Sequence, residues 1–333
     1  MASLQELADL TGGKVAGNPR LKINGVSEIQ NGKSGTISFL SNPKYKKYAR
    51  NITASAIITS DESVLSNFDG ILVDNPQLAF TKILEFFQEK PTIAWGIHPS
   101  ASISNNTILA ERISIGPNCV IEEGVKIGNQ TIIGANTVLS RNAVVGSNCN
   151  LHSNIHIYHS CIIGNSCNIF SGSIIGSDGF GYVESNGIHH KTPQTGSVII
   201  KDHVDVGANC TIDRGTIGDT IIGSGSKFDN LVHVAHNVKT GRGCLFAAGV
   251  AIAGSVEIGD FCIFAGHSGA VPHIKIGNRA VFAIKSVATK SLPGGKIYAG
   301  MPAREIREQN KKDAIFSEIN SLKKRIARIE NAN

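Results

Sequence analysis

The chain has 333 residues and a net charge of +6; 41% of its residues are apolar, only 6% are aromatic, and 36 are glycine. It contains no apolar run of the ~18 residues a membrane span needs, and its start, MASLQELADLTGG, lacks the basic region and apolar core of a secretory signal, so a cytoplasmic protein without stable membrane insertion is expected. The charge is modest and no aromatic stacking pattern accompanies it, which argues against nucleic acid, while abundant glycine with few aromatics suits a narrow solenoid with tight corners.

Residues 1–96 read as a small α/β domain. Leu4, Leu7 and Leu10 predict a short helix ending at Gly12-Gly13. Ala54–Thr59 and Gly70–Val73 read as buried strands, and Pro76–Gln88 as an amphipathic helix. The informative stretch is Phe39-Leu-Ser-Asn-Pro-Lys-Tyr. It fits an ordinary strand-to-helix turn with Phe39 and Tyr45 in the core. The alternative is an aromatic clamp for a flat base.

Residues 97–302 follow another rule. Reading every sixth residue from Ile222 to Phe282 gives Ile, Phe, Val, Thr, Phe, Ile, Ile, Phe, Ala, Ile, Phe, so nine of eleven are bulky and apolar. Upstream, Ile115, Ile127, Ile133, Val145, Ile163 and Ile175 are each followed by Gly at multiples of the same step. A period of six fits neither helix nor simple strand; it is the hexapeptide repeat of a parallel β-helix, three hexads to a coil of roughly 18 residues. All seven cysteines fall four residues after the bulky position, where a small, slightly apolar side chain is wanted. Packing therefore explains them better than metal or disulfides, and the absence of any CxxC agrees.

The register breaks between Ile175 and Ile222, once on this reading. Residues 178–198 are polar, glycine-rich and aromatic, and read as a loop pushed out of the solenoid, a place where function often sits. Residues 303–333 read as helix. Ile315, Ile319, Leu322, Ile326 and Ile329 form a short a/d seam that would pack on the solenoid or on partner subunits, a homotrimer being natural for a triangular prism. Eight basic against five acidic residues after Ala303 fit either a solvated helix face or a patch for an acidic partner.

His236 and His273 are 37 residues apart, close to two coils, so both project from one edge about 10 Å apart along the axis. An imidazole suits general-base work near neutral pH. Asp229 could orient such a ring, although its seven-residue offset puts it on the neighbouring wall within one chain. His267 and His273 lie one wall step apart and would point from different faces, so no metal site is expected. His152, His156 and His159 read as wall and surface positions.

With these motifs set out, the chain resembles the UDP-3-O-acylglucosamine N-acyltransferases of lipid A biosynthesis over essentially its whole length. The resemblance is carried by Phe39-Leu-Ser-Asn-Pro-Lys-Tyr, Ile175-Gly-Ser-Asp-Gly-Phe-Gly-Tyr, Thr211-Ile-Asp-Arg-Gly, Asp229-Asn-Leu-Val-His-Val-Ala-His-Asn-Val and Ile252-Ala-Gly-Ser. It implies a mainly β fold: a left-handed parallel β-helix, preceded by a small α/β domain and followed by a C-terminal α-helix. It implies transfer of an (R)-3-hydroxyacyl group from acyl carrier protein to the 2-amine of a UDP-3-O-acylglucosamine, in a homotrimer. No cofactor is implied beyond the 4′-phosphopantetheine that the donor carries. By motif, His236 resembles the family's general base, the Gly254 amide its oxyanion donor, and His273 a supporting residue. Phe39 and Tyr45 resemble the pair that sandwiches uracil, with Asn42 on the base edge. Lys290 resembles a basic residue facing the carrier protein, on a looser match. A CoA-dependent nucleotide-sugar acyltransferase and a non-catalytic sugar-nucleotide-binding trimer remain the alternatives.

Overall fold

The computed structural model describes residues 1–41, 52–89 and 92–331. The chain divides into two compact units, Met1–Thr92 and Ile93–Asn333. The division falls a few residues before the boundary expected at 96.

In the first unit, helix α1 (Leu4–Thr11) starts at a capping box and stops at Gly12, whose φ of 71° needs no Cβ. A five-stranded sheet follows, in the spatial order Lys14–Ala16, Gly70–Leu72, Ala56–Thr59, Thr36–Leu40, Gly25–Val26. All its pairs are parallel except the first. Helix α2 (Glu62–Leu65) is a single turn. Helix α3 (Pro76–Phe87) begins with the Asn75 side chain accepting from the Leu78 amide at 3.0 Å and with proline where its missing N–H costs nothing. Leu4, Leu7, Ile23, Ile37, Ile58, Ile71 and Ile83 are fully buried and make the core.

In the second unit the hexads become three walls of 12, 9 and 10 strands, parallel except that the terminal strand Arg304–Glu305 pairs antiparallel with Ile297–Ala299. Rungs bond to the ones above and below, as in Ile121↔Leu139↔Ile157↔Ile175, so the backbone groups inside a wall are paired between adjacent coils. Turns use left-handed residues: Asn118, Asn136 and Asn154 have φ of 57–61°, and their amides hydrogen-bond in a column at 3.3 and 3.2 Å. Asparagine tolerates this conformation because its short polar side chain bonds locally. All seven cysteines are buried, and several thiols point at backbone carbonyls of their own or the next coil, such as Cys149 Sγ to Gly164 O at 3.0 Å.

The last part of the core is an aromatic ladder. Phe228, Phe246, Phe264, Phe282 and Tyr298 stack with centroid spacings of 4.5, 5.2, 4.5 and 5.4 Å. Phe264→Ala would open a hole between two aromatic faces that parallel strands cannot collapse to fill. A loss of about 3–5 kcal/mol in unfolding free energy, measured by denaturant titration, is the expected result.

Two findings differ from the sequence reading. First, between Ile175 and Ile222 the register breaks twice, and the last coil closes after 16 residues, pairing Phe282 with Tyr298. Ile163 pairs with Ile200, and Ile200 with Ile222. Those steps are 37 and 22 residues where regular coils take 18. The first break carries an antiparallel hairpin, Tyr182–Ser185 with Ile188–Lys191; the second lies within residues 213–219. Two insertions whose lengths do not divide by six merge into one apparent shift when only Ile175 and Ile222 are compared. Second, helix α4 (Ile306–Glu330) buries none of its residues. Ile315, Phe316, Leu322, Ile326 and Ile329 are all exposed, so in the single chain the seam does not pack on the solenoid.

Candidate active site

Both insertions leave the solenoid at the edge that carries His236. The hydrogen-bond ladder of that edge runs from Ser255 N to His236 O (2.9 Å) and from His273 N to Gly254 O (3.1 Å). His236 and His273 thus stand on one edge, two coils apart, with Gly254 on the coil between. His273 is exposed, with a φ of 60°; His236 is half-buried.

The His236 ring is held on three sides. Gly179, at the start of the hairpin insertion, comes so close that a Cβ there would meet His236 Cβ at 2.6 Å. On the other side a Cβ on Gly254 would meet ring atoms Cε1 and Nε2, both at 2.6 Å. The imidazole therefore occupies space that only two glycines leave open. In the ring plane, Nδ1 faces Asn237 Oδ1 at 3.2 Å.

Asn237 ties the site together. Its Oδ1 also accepts from Thr216 N (3.0 Å), its Nδ2 donates to Ile217 O (2.9 Å), and its own N–H donates to Thr220 Oγ1 (2.8 Å). These contacts fix which amide atom is oxygen. An acceptor opposite Nδ1 requires Nδ1 to carry the proton, so in the neutral ring Nε2 holds the lone pair. An imidazole in this state can take a proton at Nε2, the atom beside Gly254. The Gly254 N–H donates no hydrogen bond among the described residues.

The insertions brace each other above this point. Thr195 N donates to Thr216 O, Gly196 N to Gly215 O, and Thr216 Oγ1 to Gln194 Oε1. Asp219 accepts from both N and Oγ of Ser197. Arg214, 1% exposed, donates to Gly176 O and His159 O and meets His159 Nε2. Burial, then the Arg214 charge, push the His159 imidazole below its usual range. Beside them Asp213 is buried, its carboxylate accepting from Ser177 Oγ at 2.9 Å. Burial pushes Asp213 above the usual carboxylate range, while the Ser177 hydroxyl and the charges of His233 and His236 oppose it.

The other sequence-derived residues fall as follows. Asp229 is not joined to His236 within the chain: its carboxylate accepts from Asn230 N (2.7 Å) and Ala248 N (3.2 Å), the neighbouring wall its offset implies. Asn237, rather than the candidate orienter Asp229, stands at Nδ1 within the chain. Phe39 is half-buried and stacks on Phe80 at 4.3 Å, so that face of its ring packs in the first unit. Asn42 and Tyr45 lie outside the described residues. Lys290 is exposed, beside a cleft that Lys296, Arg304 and Glu308 also line. His267 is exposed over Gly249. Sequence reasoning gave no role to Ser177, Gly179, Asp213, Arg214 or Asn237. The available signal was Thr211-Ile-Asp-Arg-Gly, where charge replaces the hexad pattern.

The comparisons with known proteins follow from this architecture. A UDP-N-acetylglucosamine acyltransferase structure from Bacteroides fragilis superposes with a TM-score of 0.51 at 25% identity, over 63% of this chain and 73% of that one. The Francisella novicida enzyme gives 0.51 at 26%, over 62% and 68%. The fold and the interrupted edge thus define a left-handed parallel β-helix acyltransferase. Residues 20–86 match the family model of UDP-3-O-(3-hydroxymyristoyl) glucosamine N-acyltransferase, and residues 93–178 that of the GMPPB C-terminal domain. The UDP-3-O-acylglucosamine N-acyltransferase of Methylacidiphilum infernorum is 51% identical, over 98% of this chain and 94% of its own. That of Syntrophotalea carbinolica is 48% identical, over 99% and 96%. The chain belongs to the UDP-3-O-acylglucosamine N-acyltransferase family.

Proposed function

We propose that this enzyme moves a 3-hydroxyacyl group from acyl carrier protein to the 2-amine of a UDP-3-O-acylglucosamine in lipid A biosynthesis, with His236 as general base. The observation that carries the reading is the His236 ring itself, with Nδ1 committed to Asn237 Oδ1 and Nε2 left basic against Gly254. The amine nitrogen attacks the thioester carbonyl, a C–N bond forms, and Nε2 takes the amine proton. The carbonyl oxygen gathers charge beside the free Gly254 N–H, the oxyanion donor of this reading. The C–S bond then breaks and the imidazolium returns the proton to the departing thiolate, giving an amide and the free thiol of the pantetheine arm. A thioester is already activated, so base and oxyanion donor suffice.

The other assignments rest on the same reading. His273, on the same edge, supports the donor arm or the nucleotide phosphates. Phe39, Asn42 and Tyr45 take the uracil, Phe39 with the face that does not stack on Phe80. Lys290 and the basic residues of α4 suit an acidic carrier protein. The exposed seam of α4 is covered in a homotrimer with sites between adjacent prisms, where Asp229 can serve a neighbouring chain. Among the described residues no helix is long and apolar enough to cross a membrane, and on this reading the enzyme works in the cytoplasm.

Mass spectrometry of the product from UDP-3-O-acylglucosamine tests this reading, with hydroxyacyl thioesters of carrier protein and of CoA offered side by side. A UDP-2,3-diacylglucosamine formed with the carrier-protein donor is expected. Preferential use of CoA would replace the donor. Binding of the UDP-sugar with neither thioester consumed would overturn the catalytic assignment.

A further inference from the structure

Next to His236 lies a second polar cluster that the reaction above does not use. Asp213 directly follows the strand Thr211–Ile212, and its N–H donates to Val234 O at 2.9 Å. It therefore stands one coil from Ala235, beside His236. Its side chain is 10% exposed. Ser177 Oγ donates to one carboxylate oxygen at 2.9 Å; His233 Nε2 lies 3.8 Å from the other. His233 is itself oriented, with Nδ1 2.8 Å from Thr211 Oγ1.

The remaining charges here are accounted for. Asp178 repels Asp213 but is paired with Lys191. Arg214 is turned to Gly176 and His159. The two imidazoles that bear on Asp213 are His233 and His236. A carboxylate kept this far from water with one hydroxyl donor is expensive for the fold, and nothing in the wall's packing asks for it. Neighbouring wall-end positions carry Gly176, Ala235 and Ala253.

We infer that Asp213 is an electrostatic positioning residue for His236: its carboxylate, held by Ser177 and shared with His233, favours the imidazolium that His236 becomes when it takes the acceptor's proton. The inference rests on the reading of His236 as base. It adds a charge to a site whose in-plane orienter, Asn237, is neutral.

Asp213→Asn tests it, because the amide oxygen can still accept from Ser177. A negative charge favours the protonated form of a nearby imidazole. Without it the acid limb of the kcat/KM profile moves to lower pH, by about half a unit or more, and the plateau falls by roughly tenfold or more. Stability responds with the opposite sign. A carboxyl raised on folding contributes stability below the ordinary carboxylate range and loses it as pH climbs through its folded value. At neutral pH Asp213→Asn should therefore melt no lower than the parent. Ser177→Ala, which removes only the holding hydroxyl, should move the acid limb the same way by less.

An unmoved limb in both variants overturns the inference, as does a fall in Tm that accompanies lost activity with the profile unchanged. His236→Ala separates the two readings. If it is inactive while Asp213→Asn keeps the parental profile, only the inference fails. If it stays active, the general-base reading fails first.

Discussion

His236→Ala is expected to lower kcat by about 10²–10⁴-fold and to leave the fold intact. The size follows from the role proposed for the imidazole: with Nδ1 bound to Asn237 Oδ1, Nε2 is the ring nitrogen left to accept the amine proton. No other described side chain touches the space over Gly254 at 2.6 Å. The tolerance follows from the backbone. The ladder bond from Ser255 N to His236 O needs no side chain, and Asn237 keeps its bonds to Thr216, Ile217 and Thr220. Steady-state turnover beside a denaturation midpoint checks both halves. Turnover near the parental rate would remove His236 as the base.

Gly254→Ala is expected to cost about 10²-fold or more in kcat with stability nearly unchanged. The new methyl would sit 2.6 Å from both Cε1 and Nε2 of His236, and the room for the side chain to retreat is limited by Gly179, whose backbone lies so close that even a Cβ there would meet His236 Cβ at 2.6 Å. The imidazole must tilt away from Asn237, and a displacement on the order of 1 Å is enough to lose two decades of rate. The backbone itself raises no objection, since Gly254 is not among the positive-φ glycines. Gly266→Ala is the matching control: its Cβ would meet only Ala248 O, at 3.5 Å, so parental turnover is expected. Equal rates for the two variants would show that the gap over Gly254 has no part in the reaction.

The solenoid was legible because its period comes from geometry that repeats. A bulky residue inward every six positions is what a triangular coil requires, and Ile121, Leu139 and Ile157 stack as that period demands. The cysteines were legible for the same reason. The two histidines were placed on one edge by counting coils. Counting found the loop at 178–198; what it could not see is the second interruption and how the two loops fold back. A hairpin beginning at Asp178 and a bulge at Arg214 have no period of their own, so Gly179 against His236 and Asn237 bridging to Ile217 are products of how the loops fold back. Asp213 was visible only as a charge in a short motif, because its partners Ser177 and His233 lie 36 and 20 residues away. The seam of α4 was read correctly as apolar, but a sequence pattern says nothing of which surface covers it.

The unequal steps also bear on how the molecule assembles. In a stack where each coil touches only its neighbours, structure can propagate from any rung, and the entropy of closing each new coil is the same wherever the step is constant. Here it is 18 residues except for the 37- and 22-residue steps around the hairpin and the bulge and a 16-residue step from Phe282 to Tyr298 in the last coil; the 37-residue step costs about 0.6 kcal/mol more to close than a regular coil. The coils before Gly176 and those after Thr220 are thus two regular runs, separated by insertions that leave the solenoid at the edge holding His236. Arg214, reaching back 55 residues to His159, is the rivet across that join. His236 and Gly254 belong to the second run, whereas Gly179 reaches His236 from the insertion that follows the first, so the pocket around the ring is complete only when both runs are in place.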